Sequence, residues 1–96
     1  MSLKGQGNMS GVSGNSYYND YTTTTSYVQL SWNFPASRVT IINDSTGNDE
    51  VQASWDNSTT HYNLKADEFK DLIAGGRSSI YIKATTGGES VRVSAE

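Results

Sequence analysis

The chain has 96 residues, enough for one domain but too few for two independent cores. Its net charge is −3 and its seven basic residues are scattered, which argues against a surface that neutralises nucleic-acid phosphates. The absence of cysteine excludes disulfides and cysteine-ligated zinc, and no apolar run approaches the roughly 20 residues of a membrane-spanning helix.

Residues 1–25 differ in composition from the rest of the chain. Glycine, serine and asparagine dominate, and large apolar side chains are few, so this segment cannot offset its own ordering entropy by burial. We predict an extended N-terminal arm, held by neighbouring subunits or, alternatively, by packing on its own domain. Tyrosine gives a large contact area at low entropic cost, so the predicted partner-binding residues are Tyr17, Tyr18 and Tyr21.

Residues 26–96 show the period-two alternation of β-strands. The clearest strand is YVQLSWNF, from Tyr27 to Phe34, and Pro35 ends it because proline lacks the amide donor. The stretch from Arg38 to Asp56 is predicted to form a hairpin with one apolar face and a polar turn. Gly47 is the expected left-handed residue of that turn.

The same alternation continues to the end of the chain. A short strand is predicted over 60–64, and further strands over 79–84 and 91–95 are predicted to form a hairpin. The segment KADEFKDLI, residues 65–73, fits either a single helical turn with Asp67 as its N-cap or a strand. Together these elements predict an all-β domain: a small antiparallel β-sandwich, jelly-roll-like or immunoglobulin-like, preceded by the extended arm.

The predicted core consists of the apolar residues that share one phase along these strands. They are Val28, Leu30, Trp32, Val39, Ile41, Val51, Trp55, Leu64, Ile80, Ile82, Val91 and Val93. The two tryptophans are thus interpreted as core anchors rather than as ligand platforms.

Polar side chains offer little support for a catalytic or metal site. The single histidine, His61, has no partner histidine or cysteine for zinc. Asp44, Asp49 and Glu50 crowd one turn and could offer oxygen ligands to calcium, but they lack the spacing of an EF-hand loop. Aspartate is common in turns in any case, so turn chemistry is the favoured interpretation.

A second acidic group comprises Asp67, Glu68 and Asp71. Two of these carboxyls could act as the pair that glycosidases need, but a solvated corner explains them more simply. We therefore predict that the protein is not an enzyme and uses no cofactor or metal ion.

Residues 38–96 resemble the small β-sandwich modules of tailed-bacteriophage virion structural proteins, of the head-decoration, cement or tail-accessory type. The similarity lies in the runs VTIINDSTGNDEVQASWDNSTTHYNLKADE and SIYIKATTGGESVRVSAE. They contain a strand ending in Asn-Asp, a Leu-Lys-x-x-Glu corner, an Ile-Tyr-Ile-Lys strand and a closing Val-Arg-Val strand. The sequence departs from the resemblance at Asp67, where those modules commonly have glycine.

The resemblance implies a capsid or tail component that binds its own copies, as a homo-oligomer, and other virion proteins. We accordingly predict a non-enzymatic virion structural protein, made in the host cytoplasm, that decorates, cements or joins subunits through its arm and sandwich surface. The alternative is a carbohydrate-binding β-sandwich module whose tyrosines stack on a glycan, and a weaker option is a small hydrolase that uses the acidic corner. No nucleic acid or membrane partner is expected.

Overall fold

The computed structural model describes residues 10–13, 16–45, 50–88 and 90–96 of the chain, with backbone alone for 10–13. In this part of the chain every regular element is a strand, and no helix could cross a membrane. The strands are β1 (Ser10–Ser13), β2 (Ser16–Thr22), β3 (Val28–Ser31), β4 (Arg38–Asn43), β5 (Val51–Ser54), β6 (Tyr62–Leu64), β7 (Phe69–Ile73), β8 (Ser79–Ala84) and β9 (Ser90–Ala95).

The strands form two antiparallel sheets. One has five strands in the order β1-β2-β9-β4-β7, and the other has four in the order β3-β8-β5-β6. The pairs are nested along the chain, since β2 pairs with β9, β3 with β8, β4 with β7 and β5 with β6. This nesting of strands β2 to β9 over two sheets is the jelly-roll arrangement, with β1 as an added edge strand. The predicted small antiparallel β-sandwich is confirmed, and of the two topologies left open the jelly-roll is the one observed.

Two predicted hairpins are wrong. Strands β4 and β5, which were expected to pair, lie in different sheets, and so do β8 and β9. Ile41 of β4 is registered with Val93 and Lys70, whereas Ala53 of β5 is registered with Ile82 and Tyr62. Period two decides which face of a strand is apolar, and facing sheets present the same alternation as paired strands. The turn around Gly47 lies outside the described residues.

The ambiguous segment is a strand, β7, and contains no helical turn. A turn precedes it, in which the Glu68 amide donates to the Lys65 carbonyl at 3.0 Å. Asp67 occupies a left-handed position in this turn, with φ 65°, so it is not a helix N-cap. Glycine adopts that conformation without strain, whereas other residues adopt it less readily.

The core lies between the two sheets and contains most of the predicted residues. Fully or almost fully buried apolar side chains are Tyr17, Leu30, Trp32, Phe34, Ala36, Val39, Ile41, Val51, Ala53, Leu64, Leu72, Ala74, Ile80, Ile82, Ala84, Val91, Val93 and Ala95. Two predictions differ: Val28 is 36% exposed, because it lies towards the end of an edge strand, and Trp55 is only partly buried against the core. The strand predicted over 27–34 is shorter, but Trp32 and Phe34 still point inward beyond it.

The boundary between arm and sandwich also differs from the prediction. Strand β2 lies inside the predicted arm, yet it pairs with the central strand β9 over six residues. Residues 16–22 are therefore part of the sandwich, because backbone pairing and burial of Tyr17 supply the stabilisation that their composition alone does not. Residues 1–9, 14 and 15 lie outside the described part of the chain.

Candidate functional site

Tyr17, a predicted partner-binding residue, is a core residue. It is 6% exposed and its ring packs on Trp32 from the facing sheet, with 5.3 Å between ring centroids. Its hydroxyl accepts a hydrogen bond from Asn19 Nδ2 at 2.9 Å. Burial raises the pKa of Tyr17, and the Asn19 bond offsets part of that rise. The prediction is corrected for this residue, since its ring is committed to the fold.

The other two tyrosines lie on opposite faces of β2. Tyr18 is 37% exposed on the outer face, opposite Ser94 of β9. Tyr21 points inward and is half-buried against the core. Desolvation is the largest cause that raises the pKa of each hydroxyl. The three tyrosines therefore do not share one surface, because the period of a strand sends neighbouring side chains to opposite sides.

His61 and Asp44 make local structural contacts. The Nδ1 atom of His61 accepts a hydrogen bond from the Trp55 amide at 3.1 Å. Asp44 forms a bidentate ion pair with Arg92, at 2.6 and 2.9 Å. Asp49, the middle member of the suggested calcium group, lies outside the described residues. Among those described, no three acidic or histidine side chains are grouped so as to hold a metal ion.

The acidic corner is divided among separate local roles. Glu68 accepts a hydrogen bond from the Lys65 amide at 2.7 Å, which closes the turn before β7. Asp67 is the left-handed residue of that turn. Asp71 lies further on, in the middle of β7, where its Oδ1 accepts a hydrogen bond from Thr40 at 2.5 Å.

Trp55, just after β5, and Tyr62 of β6 form an aromatic pair that packs against the core. The Arg77 guanidinium lies 4.8 Å from the Trp55 ring centroid, and Trp55 Nε1 donates to the Tyr62 hydroxyl at 3.2 Å. The adjoining groove is open, with a volume of about 350 Å³, and its lining tryptophan and phenylalanine, Trp32 and Phe34, are buried. Trp55 thus makes a cation–π contact with Arg77, while Trp32 and Phe34 pack in the core. These contacts stabilise the fold and leave none of the three rings as a free ligand platform.

The edge strand β7 carries the two most exposed large apolar side chains of the described residues. Phe69 is 65% exposed and Ile73 is 87% exposed. Both point away from the core, because Leu72, on the opposite phase, is buried. Asp71 lies between them on the same outer face. We call this surface, formed by Phe69, Asp71 and Ile73, the β7 edge.

Backbone groups of the β7 edge face away from the sheet. The Asn43 amide donates to the Glu68 carbonyl at 2.8 Å, and the Ala74 amide donates to the Ser37 carbonyl at 2.9 Å. Hydrogen bonding alternates along an antiparallel strand, so the even-numbered residues of β7 face β4. The amides and carbonyls of Phe69, Asp71 and Ile73 are therefore directed to the open side, where no described strand pairs with them.

Asn43 fixes the position at which β7 begins. It is fully buried, and its Nδ2 donates to the Leu64 carbonyl at 3.0 Å, which links β4 to strand β6 of the other sheet. The Asn43 carbonyl also accepts from the Asp67 amide at 2.9 Å. One buried side chain and its backbone thereby anchor both the end of β6 and the turn before β7.

Sequence reasoning did not identify Phe69 and Ile73 as surface residues. Their spacing with Leu72 also fits a helix, which hid the simpler period-two pattern of FKDLI. In a strand that pattern places Phe69, Asp71 and Ile73 on one face and Leu72 on the other. An exposed apolar strand face could have been recognised from this pattern: one apolar residue on the inward face and two on the other face.

No protein-family model and no curated protein sequence matches this chain. Solved structures are similar in fold. A crystal structure of protein NMB1881 from Neisseria meningitidis matches with a TM-score of 0.54 at 9% identity, covering 97% of this chain and 85% of that one. A crystal structure of a cupin domain from Bordetella pertussis matches with a TM-score of 0.50 at 14% identity, covering 100% of this chain and 96% of that one.

At these identities the likeness shows the fold alone. It agrees with the two-sheet jelly-roll topology described above, and the chain is therefore a small antiparallel β-sandwich. Cupins, lectin domains and viral capsid proteins all use the double-sheet jelly roll, so the fold does not decide the function.

Proposed function

We propose that this protein is a non-enzymatic structural protein of a virion, and that it joins neighbouring proteins by adding strand β7 to a strand of its neighbour. The observation that carries this proposal is the exposure of Phe69 and Ile73 on an edge strand with outward-directed amides. Natural sandwiches usually protect such edges with charges, proline or bulges. Strand β7 has two such charges, Lys70 and Asp71, but its outer face also shows two large apolar groups, which suits it to receive a strand.

Two features favour strand addition over a flat contact. Phe69 and Ile73 are four residues apart on one strand, so they line about 13 Å of edge rather than one compact patch. The backbone groups of these same residues point outward. An added strand would satisfy those groups and cover both side chains at once.

The virion setting is supported by the resemblance of residues 38–96 to modules of tailed-bacteriophage structural proteins. The proposal also includes association of the protein with its own copies through its N-terminal residues. Tyr18, the exposed tyrosine of β2, would contact the second copy.

The experiment is quantitative mass spectrometry of particles purified from cultures in which the gene is expressed naturally. A fixed number of copies per particle is expected. A variant with Phe69→Ser and Ile73→Ser should fold and be lost from particles, whereas a control with Val28→Ser and Gln29→Ser, at exposed positions of β3, should keep higher occupancy. Absence of the wild-type chain from particles contradicts the virion setting, and normal occupancy of the first variant contradicts the role of β7.

A further inference from the structure

We infer that the β7 edge selects a partner strand that has a lysine or arginine between two apolar residues, in the pattern apolar-x-Lys/Arg-x-apolar, and that it disfavours a second copy of itself. This inference rests on the proposed function, because it names the partner chemistry of the same edge. It starts from the alternation of apolar and acidic side chains along the strand.

The outer face of β7 has three positions in a row. An incoming strand places one side chain directly opposite each of Phe69, Asp71 and Ile73, on the same face of the extended sheet. Apolar side chains suit the two outer positions. The middle position faces Asp71, whose carboxylate is exposed and whose one described hydrogen bond comes from Thr40. A basic side chain at that position pairs with the carboxylate.

The neighbouring strand β4 supports the same arrangement. Ile42 lies beside Phe69 and is half-buried, so it extends the apolar surface at one end of the edge. Thr40 lies beside Asp71 and holds its carboxylate against the sheet. Among the described residues no ion pair joins Asp71 to the basic residues of this face: Arg38 of β4 lies beside Ile73 without forming one, and Arg92 next to Ile42 is paired with Asp44.

Pairing of β7 with the β7 of a second copy is disfavoured by charge. Only one antiparallel register sets Phe69 of each copy opposite Ile73 of the other, and that register places Asp71 directly opposite the second copy's Asp71. Like charges in directly opposed positions destabilise a strand pair. In the neighbouring symmetric register, centred on residue 70, Lys70 lies opposite the second copy's Lys70. Phe69 and Ile73 are then no longer opposite each other. Charged edge residues commonly block self-association in this way.

The required pattern does not occur elsewhere in these 96 residues. The basic residues are Lys4, Arg38, Lys65, Lys70, Arg77, Lys83 and Arg92. None of them has an apolar residue both two positions before and two positions after it. Arg38, Lys70 and Lys83 each have one apolar residue at such a position, and the strand of Lys83, β8, is already paired on both sides. The strand that fits the β7 edge is therefore not supplied by these residues.

The test uses two synthetic peptides, Thr-Val-Thr-Lys-Thr-Val-Thr and the same peptide with glutamate in place of lysine. Each is titrated into the isotopically labelled full chain, and amide NMR signals report the site and the dissociation constant. The lysine peptide should shift the amides of Phe69, Asp71 and Ile73 and bind about fivefold more tightly than the glutamate peptide, as expected for opposite against like charges across a strand pair. The difference should shrink at high salt.

Variants of the chain make the assignment specific. Asp71→Lys should reverse the preference, so that the glutamate peptide binds more tightly. Gln29→Lys is the position control, because it adds one positive charge at an exposed position of β3, an edge strand of the other sheet. This control should retain the wild-type preference.

Self-association gives an independent readout. In sedimentation experiments Asp71→Asn should form more dimer than the wild type, and Phe69→Ser added to Asp71→Asn should abolish that gain. A wild-type dimer that Phe69→Ser removes would overturn the inference.

Equal binding of both peptides at β7 overturns the charge selection but leaves the proposed function standing. Failure of both peptides to bind at β7 overturns the inference, and normal particle occupancy of the Phe69 and Ile73 variant overturns the proposed role of β7.

Discussion

Burial in the core raises the pKa of Tyr17 above the ordinary tyrosine value. Its pKa is raised because the ionised hydroxyl loses solvation in the core, so the folded state holds the proton more tightly than the unfolded chain does. A raised folded pKa contributes stability that is complete below the ordinary tyrosine value of about 10 and is lost as pH rises through the folded value. Alkaline conditions should therefore weaken the packing of β2 against Trp32.

We predict that the melting temperature falls as pH rises above about 10, and that Tyr17→Phe makes this fall shallower. Phenylalanine keeps the ring contact with Trp32 but has no hydroxyl to ionise. Tyr18→Phe is the control, because Tyr18 is more exposed and its substitution should change the slope less. Thermal melts at several pH values provide the measurement. An unchanged slope in Tyr17→Phe would show that another group controls the alkaline transition.

Strand β2 joins the N-terminal residues to the body of the molecule. It lies between β1 and β9, and its pairing with β9 extends from Tyr17 to Thr22. Removing it would expose the edge of β9, which is otherwise covered on both sides, and would take the Tyr17 ring out of the core. We therefore expect this strand to be needed for folding, independently of the residues before it.

We predict that deletion of residues 1–25 abolishes cooperative unfolding, whereas deletion of residues 1–9 leaves all the described strands and the melting transition in place. The first deletion removes β1, β2 and one large buried ring, a loss comparable to the net stability of a small domain. Circular dichroism and thermal melts measure the difference. A cooperative transition in the 1–25 deletion would show that the remaining strands form a stable sandwich without β2.

The shorter deletion also tests the predicted assembly arm. If residues 1–9 contribute to assembly, particles should contain less of the shortened chain although its melting temperature is unchanged. The longer deletion cannot make this distinction, because loss of folding and loss of assembly would look alike.

The two sheets share one core, and neither can bury its apolar face without the other. Ile41 in the five-stranded sheet and Ile82 in the four-stranded sheet are both fully buried. A domain of this size buries a limited share of its surface, so independent melting of the sheets is not expected. Unfolding should follow a single two-state transition.

We predict that Ile41→Ala and Ile82→Ala each lower the unfolding free energy by about 2–5 kcal/mol, because each removes buried methyl groups and leaves a cavity. Ile73→Ala is the matched control, since Ile73 is 87% exposed and its substitution should cost about 0.5 kcal/mol or less. Urea unfolding followed by tryptophan fluorescence and by circular dichroism should give coincident curves. Separate transitions for the two probes would contradict a single core.

The amino-acid sequence by itself determined the strands and their inward faces over most of the chain. Ile41, Val93, Ile80 and Ile82 are buried as predicted, because a strand sends alternate side chains to opposite faces and water separates the apolar from the polar set. The absence of a long helical period and the frequent turns likewise predicted an all-β sandwich. These are local properties, and neighbouring residues are enough to specify them.

The tertiary structure alone decided which strands are neighbours. Alternation in β4 and β5 is the same whether they pair in one sheet or face each other across the core, so the predicted hairpin was wrong although both inward faces were right. The same long-range pairing drew β2 into the sheet and buried Tyr17. It also left β7 at an edge, with Phe69 and Ile73 uncovered, because a strand becomes an edge only through the absence of a second neighbour, and that depends on the whole arrangement of the chain.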